Sequence, residues 1–347
     1  DISPALDRII RHALEKNPVE RFQTARDIAF ALGALSGSGT AAHVRVETGQ
    51  RGWLKWAVAA TAAAGLVVVG AIAGGAFQSS PPSTVSFTTR TYDSGLITSA
   101  RLMPDGATIV YTGRQFDGSV RLFELRQGQD APKMIGPPDT VLLAVSKDRE
   151  FAVLTNIRIL TATRAIGTLS RMSFGEEPRP VLEDVTAADW SPDGEAFAVV
   201  RRVNGRDNLE YPVGKVLHTS SGYISDVRVS PDGRRVLFMD HASTNDDRGW
   251  VRIAEQNGVT TVAGEMATQW GTVWSPDGRR VIFSGSEDGQ FYYPWIADAP
   301  SPGGSPPNKS LLLTAPGSMI VLDVAADGTV LAASDNRRYM VGAKFKG

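Results

Sequence analysis

Ala188-Asp189-Trp190-Ser191-Pro192-Asp193-Gly194-Glu195-Ala196-Phe197-Ala198-Val199-Val200 is the stretch whose reading decides the fold of most of this chain. A short apolar run leads in, a tight turn follows, and a second apolar run leads out. The turn has a physical logic. Pro192 pre-sets φ at the second position, Asp193 can bond its own backbone, and Gly194 accepts a positive φ. Together they join two antiparallel strands with little strain.

Working outward, the same turn recurs as Ser230-Pro231-Asp232-Gly233 and Ser275-Pro276-Asp277-Gly278. Three looser copies are Met103-Pro104-Asp105-Gly106, Ser146-Lys147-Asp148-Arg149 and Ala325-Ala326-Asp327-Gly328. Successive turn aspartates, from Asp105 through Asp148, Asp193, Asp232 and Asp277 to Asp327, lie 43, 45, 39, 45 and 50 residues apart. That period is the length of one four-stranded propeller blade. Runs such as Val236-Leu237-Phe238-Met239 and Val281-Ile282-Phe283 are apolar at every position. Stacked blades bury both faces of their central strands, so unbroken apolar runs fit a propeller better than a one-sided sheet.

A second turn about a dozen residues later is expected at Asp117-Gly118, Asn204-Gly205, Asp288-Gly289 and, less neatly, Asp246-Asp247-Arg248-Gly249. The repeated Ser-Pro-Asp-Gly turn resembles that of the TolB-like, WD40-like propeller family, over nearly all of residues 97 to 335. The resemblance implies an all-β propeller over 83–347 of about six four-stranded blades. It also implies that Asp105, Gly106, Pro192, Asp193, Gly194, Pro231, Asp232, Gly233, Pro276, Asp277, Gly278, Asp327 and Gly328 are architectural, neither catalytic nor metal-binding. Ring closure is open from sequence: Val85 to Arg90 could supply the outer strand of a sixth blade, or the ring could be a larger one cut short, and the sequence leans to the latter. The aromatic run Phe291-Tyr292-Tyr293-Pro294-Trp295 reads as strand and blade packing before contact surface.

Upstream lies Trp56 to Phe77, 22 residues with neither charge nor proline. As an α-helix this is roughly 33 Å long, enough to cross a ~30 Å apolar bilayer core. Arg45, Arg51 and Lys55 precede it, and no basic residue follows until Arg90. The positive-inside tendency places the N-terminal side in the cytoplasm and the propeller outside it. Membrane lipid is thus an expected partner. Gly70 and Gly74, four apart, would let two such helices approach closely, which makes a homodimer an expectation.

Residues 36–55 read as a juxtamembrane linker. Residues 1–35 carry two short amphipathic helix patterns, divided at Asn17-Pro18. Leu14-Glu15-Lys16-Asn17-Pro18-Val19-Glu20-Arg21-Phe22 resembles the closing segment of the C-lobe of bacterial serine/threonine protein kinases. The resemblance implies that Arg21 pairs with a buried glutamate at the end of the activation segment, upstream of Asp1. It implies the middle of a receptor-type kinase, a multidomain chain: kinase C-lobe remnant, single transmembrane helix, extracytoplasmic propeller acting as sensor or interaction domain. ATP and magnesium are then cofactors of the parent, with none expected in these residues. A glycine-rich phosphate loop, a His-Arg-Asp loop and an Asp-Phe-Gly motif are all missing from the 347 residues, so no catalytic residue is expected.

Composition narrows the alternatives. The net charge is −1, so bulk attraction to nucleic acid is not implied. There is no cysteine, which excludes disulfides and thiolate metal sites, and His12, His43, His218 and His241 show no ligand spacing. Two rival readings stand beside the receptor kinase. One is a membrane-anchored TolB-like propeller serving as a binding or scaffold protein. The other is a propeller-gated serine peptidase, which needs a G-x-S-x-G motif that these residues lack. The unknown partner at the propeller, protein or small ligand, is not named by the sequence.

Overall fold

The computed structural model describes residues 86–335, apart from 92–95, 116, 130, 162–163 and 315–316. The kinase-like segment with Pro18 and Arg21, the linker, and the apolar span with Gly70 and Gly74 lie outside the described residues. No helix among the described residues is long and apolar enough to cross a membrane.

Every described element is a strand. The first blade is β1 (Leu96–Leu102), β2 (Ile109–Arg114), β3 (Val120–Leu125) and β4 (Lys133–Ile135), paired in that order. The second begins with β5 (Val141–Val145), β6 (Phe151–Ile159) and β7 (Ala165–Met172). Its outer strand is the first half of β8 (Arg179–Trp190), whose second half is the inner strand of the third blade. That blade continues through β9 (Phe197–Val203), β10 (Arg206–Glu210) and β11 (Val216–Thr219). The fourth holds β12 (Tyr223–Val229), β13 (Val236–Ser243), β14 (Asp246–Glu255) and β15 (Gly258–Met266). The fifth holds β16 (Thr268–Trp274), β17 (Arg280–Ser286), β18 (Tyr293–Asp298) and β19 (Lys309–Leu311), and the sixth shows β20 (Ser318–Val324) and β21 (Val330–Asp335). All pairings are antiparallel, as short turns between consecutive strands dictate.

The ring closes at six. Leu102 donates its backbone N–H to Asp323 at 2.7 Å, and Arg101 reaches the Leu322 carbonyl at 3.3 Å, so the sixth inner strand lies beside the first. This corrects the expectation of an unfinished larger ring. The strand proposed for 85–90 is corrected as well. Residues 86–91 carry no strand pairing, and Arg90 instead donates to the Ala107 carbonyl at 2.8 Å.

Apolar layers fill each blade interface, because each sheet is apolar on both faces. Phe238 and Val236 pack on Val200 and Leu209 of the third blade, whereas their neighbours Leu237 and Met239 point the other way, onto Trp274 and Phe283 of the fifth. Tyr111, Phe123 and Leu125 of the first blade meet Leu322 and Leu331 of the sixth, which completes the circle. Alternation along one strand thus feeds two different layers.

Each Ser-Pro-Asp-Gly turn ends an inner strand. Gly194, Gly233 and Gly278 hold φ of +76°, +71° and +67°, and each donates its N–H to the carbonyl of the turn serine at 2.8 Å. The Ser230 hydroxyl donates to Asp232 at 2.6 Å and accepts the Arg235 N–H at 2.9 Å. The turns also touch one another: a Cβ on Gly233 would sit 3.5 Å from Pro192 Cδ, and one on Gly278 3.4 Å from Pro231 Cδ. The degenerate second repeat makes the same turn with Arg149 at φ +67° and its N–H 3.1 Å from the Ser146 carbonyl.

One second turn moved. Asp246 to Gly249 lie inside β14, and the chain reverses at Thr244-Asn245. A His241/Ser243 irregularity in the β13–β14 ladder absorbs the shift. The run at 291–295 divides: Tyr293 to Trp295 begin β18, while Phe291 is exposed ahead of it.

Candidate functional site

The geometry that matters is set by a defect shared by all six inner strands. Each ladder slips by a residue near the middle of its inner strand: at Thr98, Leu143, Thr186, Asp226-Val227, Gly271 and Leu322. A bulge leaves one residue unpaired and turns the following side chain. At Leu322 this frees a carbonyl, and both Arg101 and Arg228 donate to it, at 3.3 and 2.8 Å.

Beyond the bulge, the residue four places before each turn aspartate reads Arg101, Ala144, Asp189, Arg228, Val273 and Asp323 around the ring. All but Ala144 line a cavity of about 170 Å³ between the C-terminal ends of the inner strands. Blades one to three therefore supply Arg, Ala, Asp, and blades four to six supply Arg, Val, Asp. In a six-fold ring this sets the two arginines on opposite sides of the axis and the two aspartates likewise. The sequence reading missed these residues. The signal was available by counting back from each turn aspartate, because every repeat brings that position to the axis.

Arg228 is buried, and Arg101, Asp189 and Asp323 are part-buried. Burial, then the neighbouring Arg228 charge, pulls the Arg101 guanidinium down to about 9, so it remains charged at neutral pH. Burial pushes the Asp189 carboxyl above the ordinary range, opposed by the charges of Arg228 and Arg101. Asp189 accepts the Val229 N–H at 2.8 Å, as Asp323 accepts that of Leu102. Each aspartate thus ties its own blade to the next inner strand.

A second cavity, about 160 Å³, opens between the N-terminal ends of the inner strands, here called the mouth. Arg101 and Arg228 line it too, and so stand between the two spaces. On one wall, the Arg164 guanidinium lies 3.7 Å over the Tyr223 ring, and Tyr223 donates to Asp247 at 2.7 Å. The His241 ring stacks under Tyr223 at 3.9 Å. Burial lowers the His241 pKa, so the imidazole is neutral. Nδ1 lies 3.2 Å from the Asp247 carbonyl and must carry the proton, which leaves Nε2, 3.0 Å from Ser225 Oγ, as an acceptor. The Asp226 carboxylate lies 2.8 Å from the same hydroxyl and competes for it. A serine beside a neutral histidine is the first link of a nucleophile–base relay. Here the histidine is oriented by a carbonyl, and the carboxylate sits on the serine side, so the arrangement orders the mouth rather than activating Ser225.

The turn residues form a separate feature. Asp105, Asp193, Asp232, Asp277 and Asp327 each take the backbone N–H two residues on. They lie at the C-terminal ends of the inner strands and none lines either cavity. Among the described residues no group of three His, Cys, Asp or Glu is placed to hold a metal ion.

The fold defines a six-bladed β-propeller with a charged axis. No family model matches the chain, and no curated protein matches it. Among solved structures it is similar to a protein assigned as TolB from Agrobacterium tumefaciens, with 18% identity, 69% of this chain and 90% of that chain covered, and a TM-score of 0.53. TolB from Acinetobacter baumannii is a more distant likeness, at 18% identity, 59% and 52% coverage and a TM-score of 0.47. At this identity the first likeness shows the fold alone: a TolB-like β-propeller.

Proposed function

We propose that the propeller is a non-catalytic binding module whose mouth receives a partner. The observation that carries this reading is the convergence of the inner strands on a cavity lined by Arg101, Arg228, Asp226, Tyr223 and Trp270. A concave site in which apolar side chains are interspersed with convergent polar groups is a form that recognition pockets take. The TolB-like fold supports a binding or scaffold role. The span at 56–77, read from sequence, would tether the module to a membrane with the propeller on the extracytoplasmic side.

The chain has no cysteine, so a single introduced thiol carries one reporter. Ile159 lines the mouth and is half exposed; Val181, equally exposed, is on the outer half-strand of the second blade. A photocrosslinker on Ile159→Cys in the native membrane is expected to capture a discrete product that Val181→Cys does not. Identical product patterns from both positions would remove the mouth as the recognition site.

A second reading gives the module a signalling output. Leu14 to Phe22 resembles a kinase C-lobe end, and it lies on the other side of the apolar span from the propeller. Under this reading the propeller senses a ligand and alters the pairing of kinase domains in the cytoplasm, which use ATP and magnesium. ATP-dependent phosphorylation by the full-length parent tests it; absence of both autophosphorylation and substrate phosphorylation would leave the scaffold reading alone.

A further inference from the structure

We infer that the mouth carries a proton-operated latch, in which a proton on His241 drives the Arg164 side chain off the Tyr223 ring and widens the entrance. The Arg164 guanidinium lies 3.7 Å from the centre of that ring, and the His241 ring is stacked 3.9 Å from it, at 8° to its plane. Two groups this near one ring centre cannot share a face, so Tyr223 is held between them. While the imidazole is neutral, the ring carries one cation. A proton on Nε2 gives it two, and like charges held that close in a part-buried site repel. Arg164 has the looser hold. Its Nη2 is 3.7 Å from Asp207 and its Nη1 is 3.5 Å from the Thr244 carbonyl, both longer than a good hydrogen bond. Asp207 already accepts Arg202 Nε at 2.9 Å and the Ile224 N–H at 3.2 Å. Burial disfavours the Arg164 charge, Asp207 and Asp247 offset part of this, and Arg202 opposes it further.

The histidine side is built to accept the proton. Ser225 Oγ has one hydrogen and two acceptors in reach, Asp226 at 2.8 Å and His241 Nε2 at 3.0 Å, so with a neutral ring one contact goes unmade. A proton on Nε2 turns that acceptor into a donor. Nε2–H then donates to Ser225 Oγ, and the Ser225 hydroxyl donates to Asp226. Nδ1–H still donates to the Asp247 carbonyl at 3.2 Å. The charged groups that face His241 are Asp226 from β12, Asp246 and Asp247 from β14, and Arg164 from just ahead of β7. Tyr223 stays a neutral phenol, because burial and its bond to Asp247 push its pKa far up. Carboxylates thus flank the new charge, and Arg164 is the cation that can leave. Arg164, Tyr223, Ser225 and Asp226 all line the mouth, so one proton changes its charge and its width together. That the mouth has a partner to admit rests on the reading above; the latch is a property of the propeller itself.

The full chain, isotope-labelled at arginine and histidine, is titrated by NMR in detergent micelles from about pH 8 to about pH 4, a range that spans the ordinary histidine value. The ring current of Tyr223 displaces the Arg164 side-chain resonances, and those of His241 follow its proton. Arg164→Met and His241→Gln identify the two sets. As the pH falls below 6.5, Arg164 is expected to move to the position of an exposed arginine, with the same midpoint as His241. In His241→Gln the Arg164 resonances are expected to stay in place. Linkage is reciprocal, so Arg164→Met should raise the His241 midpoint by about one pH unit. Arg158→Met, which breaks only an exposed pair with Asp184, should leave that midpoint unchanged. The inference is overturned if Arg164 keeps its position through the His241 titration, or if His241 takes up no proton before the chain unfolds. It is also overturned if Arg164→Met leaves the midpoint where it was, a result that decides the matter even where His241→Gln does not fold. The resonances report on the isolated protein. A shared midpoint without a crosslinked product from Ile159→Cys would remove the partner and keep the latch; a product with Arg164 unmoved would do the opposite.

Discussion

Arg149 holds a left-handed backbone, φ +67°, where five sister repeats place glycine. The Cβ of an L-residue is disfavoured there, and glycine relieves the strain at some cost in unfolded-chain entropy. Arg149→Gly is therefore expected to stabilise the propeller by about 0.5 to 1 kcal/mol, read as a raised denaturant midpoint. Gly271 is the opposite case. It sits at the bulge of β16 with φ +70°, and a Cβ there would lie 1.9 Å from the Val321 carbonyl oxygen. Gly271→Ala should cost roughly 3 kcal/mol, because the obstacle is backbone and cannot turn aside. His241 carries a pH dependence. Its folded pKa is lowered by burial against an unfolded value near 6.5, although Asp226 and Asp247 favour the charged form and Arg164 opposes it. The unfolded chain therefore takes up the proton first. Stability that is full above pH 6.5 is expected to fall as pH drops through that value towards the lower folded one, and His241→Gln should flatten that part of the curve.

At the scale of the element, the repeated turn acts through its carboxylates. Asp193 is held below the ordinary aspartate value by the Ser191 hydroxyl and the Glu195 N–H, and Asp277 by Ser275 and Arg279 in the same way. Asp232 is lowered as well, since Ser230 and Arg234 outweigh the opposing effect of burial. Folded values below 3.8 mean that this contribution is present above pH 3.8 and is lost as pH falls through the lower values. An acid titration of the triple variant Asp193→Asn, Asp232→Asn, Asp277→Asn should show a flatter fall below pH 4 than the native chain. These turns were legible because each role has its own residue type at a fixed offset. The β13–β14 reversal was not: Asp246 to Gly249 have turn chemistry, yet the pairing of Asp240 with Trp250 and of His241 with Gly249 draws them into the strand.

For the whole molecule, no blade has an apolar face of its own to bury; every layer belongs to a pair of neighbours. Phe283 is fully buried between the fourth and fifth blades. Phe283→Ala is expected to cost about 3 to 5 kcal/mol, and the unfolding transition should remain single by fluorescence and circular dichroism, because one weakened interface opens the ring. Closure rests on the contact of the sixth blade with the first, through Asp323 to Leu102 and the layer around Leu322. The sequence leaned to a longer ring because its last strand-like run, Tyr339-Met340-Val341, left no room for a complete sixth blade, and strand patterns carry no record of which inner strand meets which.

Fold class, blade period and the turn residues were determined by the sequence alone, since they depend on local preferences: φ at proline and glycine, Asx bonding, and apolar runs of strand length. What the tertiary structure alone decided is the axis. Arg101, Asp189, Arg228 and Asp323 are separated along the chain by 88, 39 and 95 residues. They come together only because six inner strands close on one another and the same position of each repeat, four residues before its turn aspartate, reaches the axis. Buried charge of that kind is a property of the ring, and no single repeat contains it.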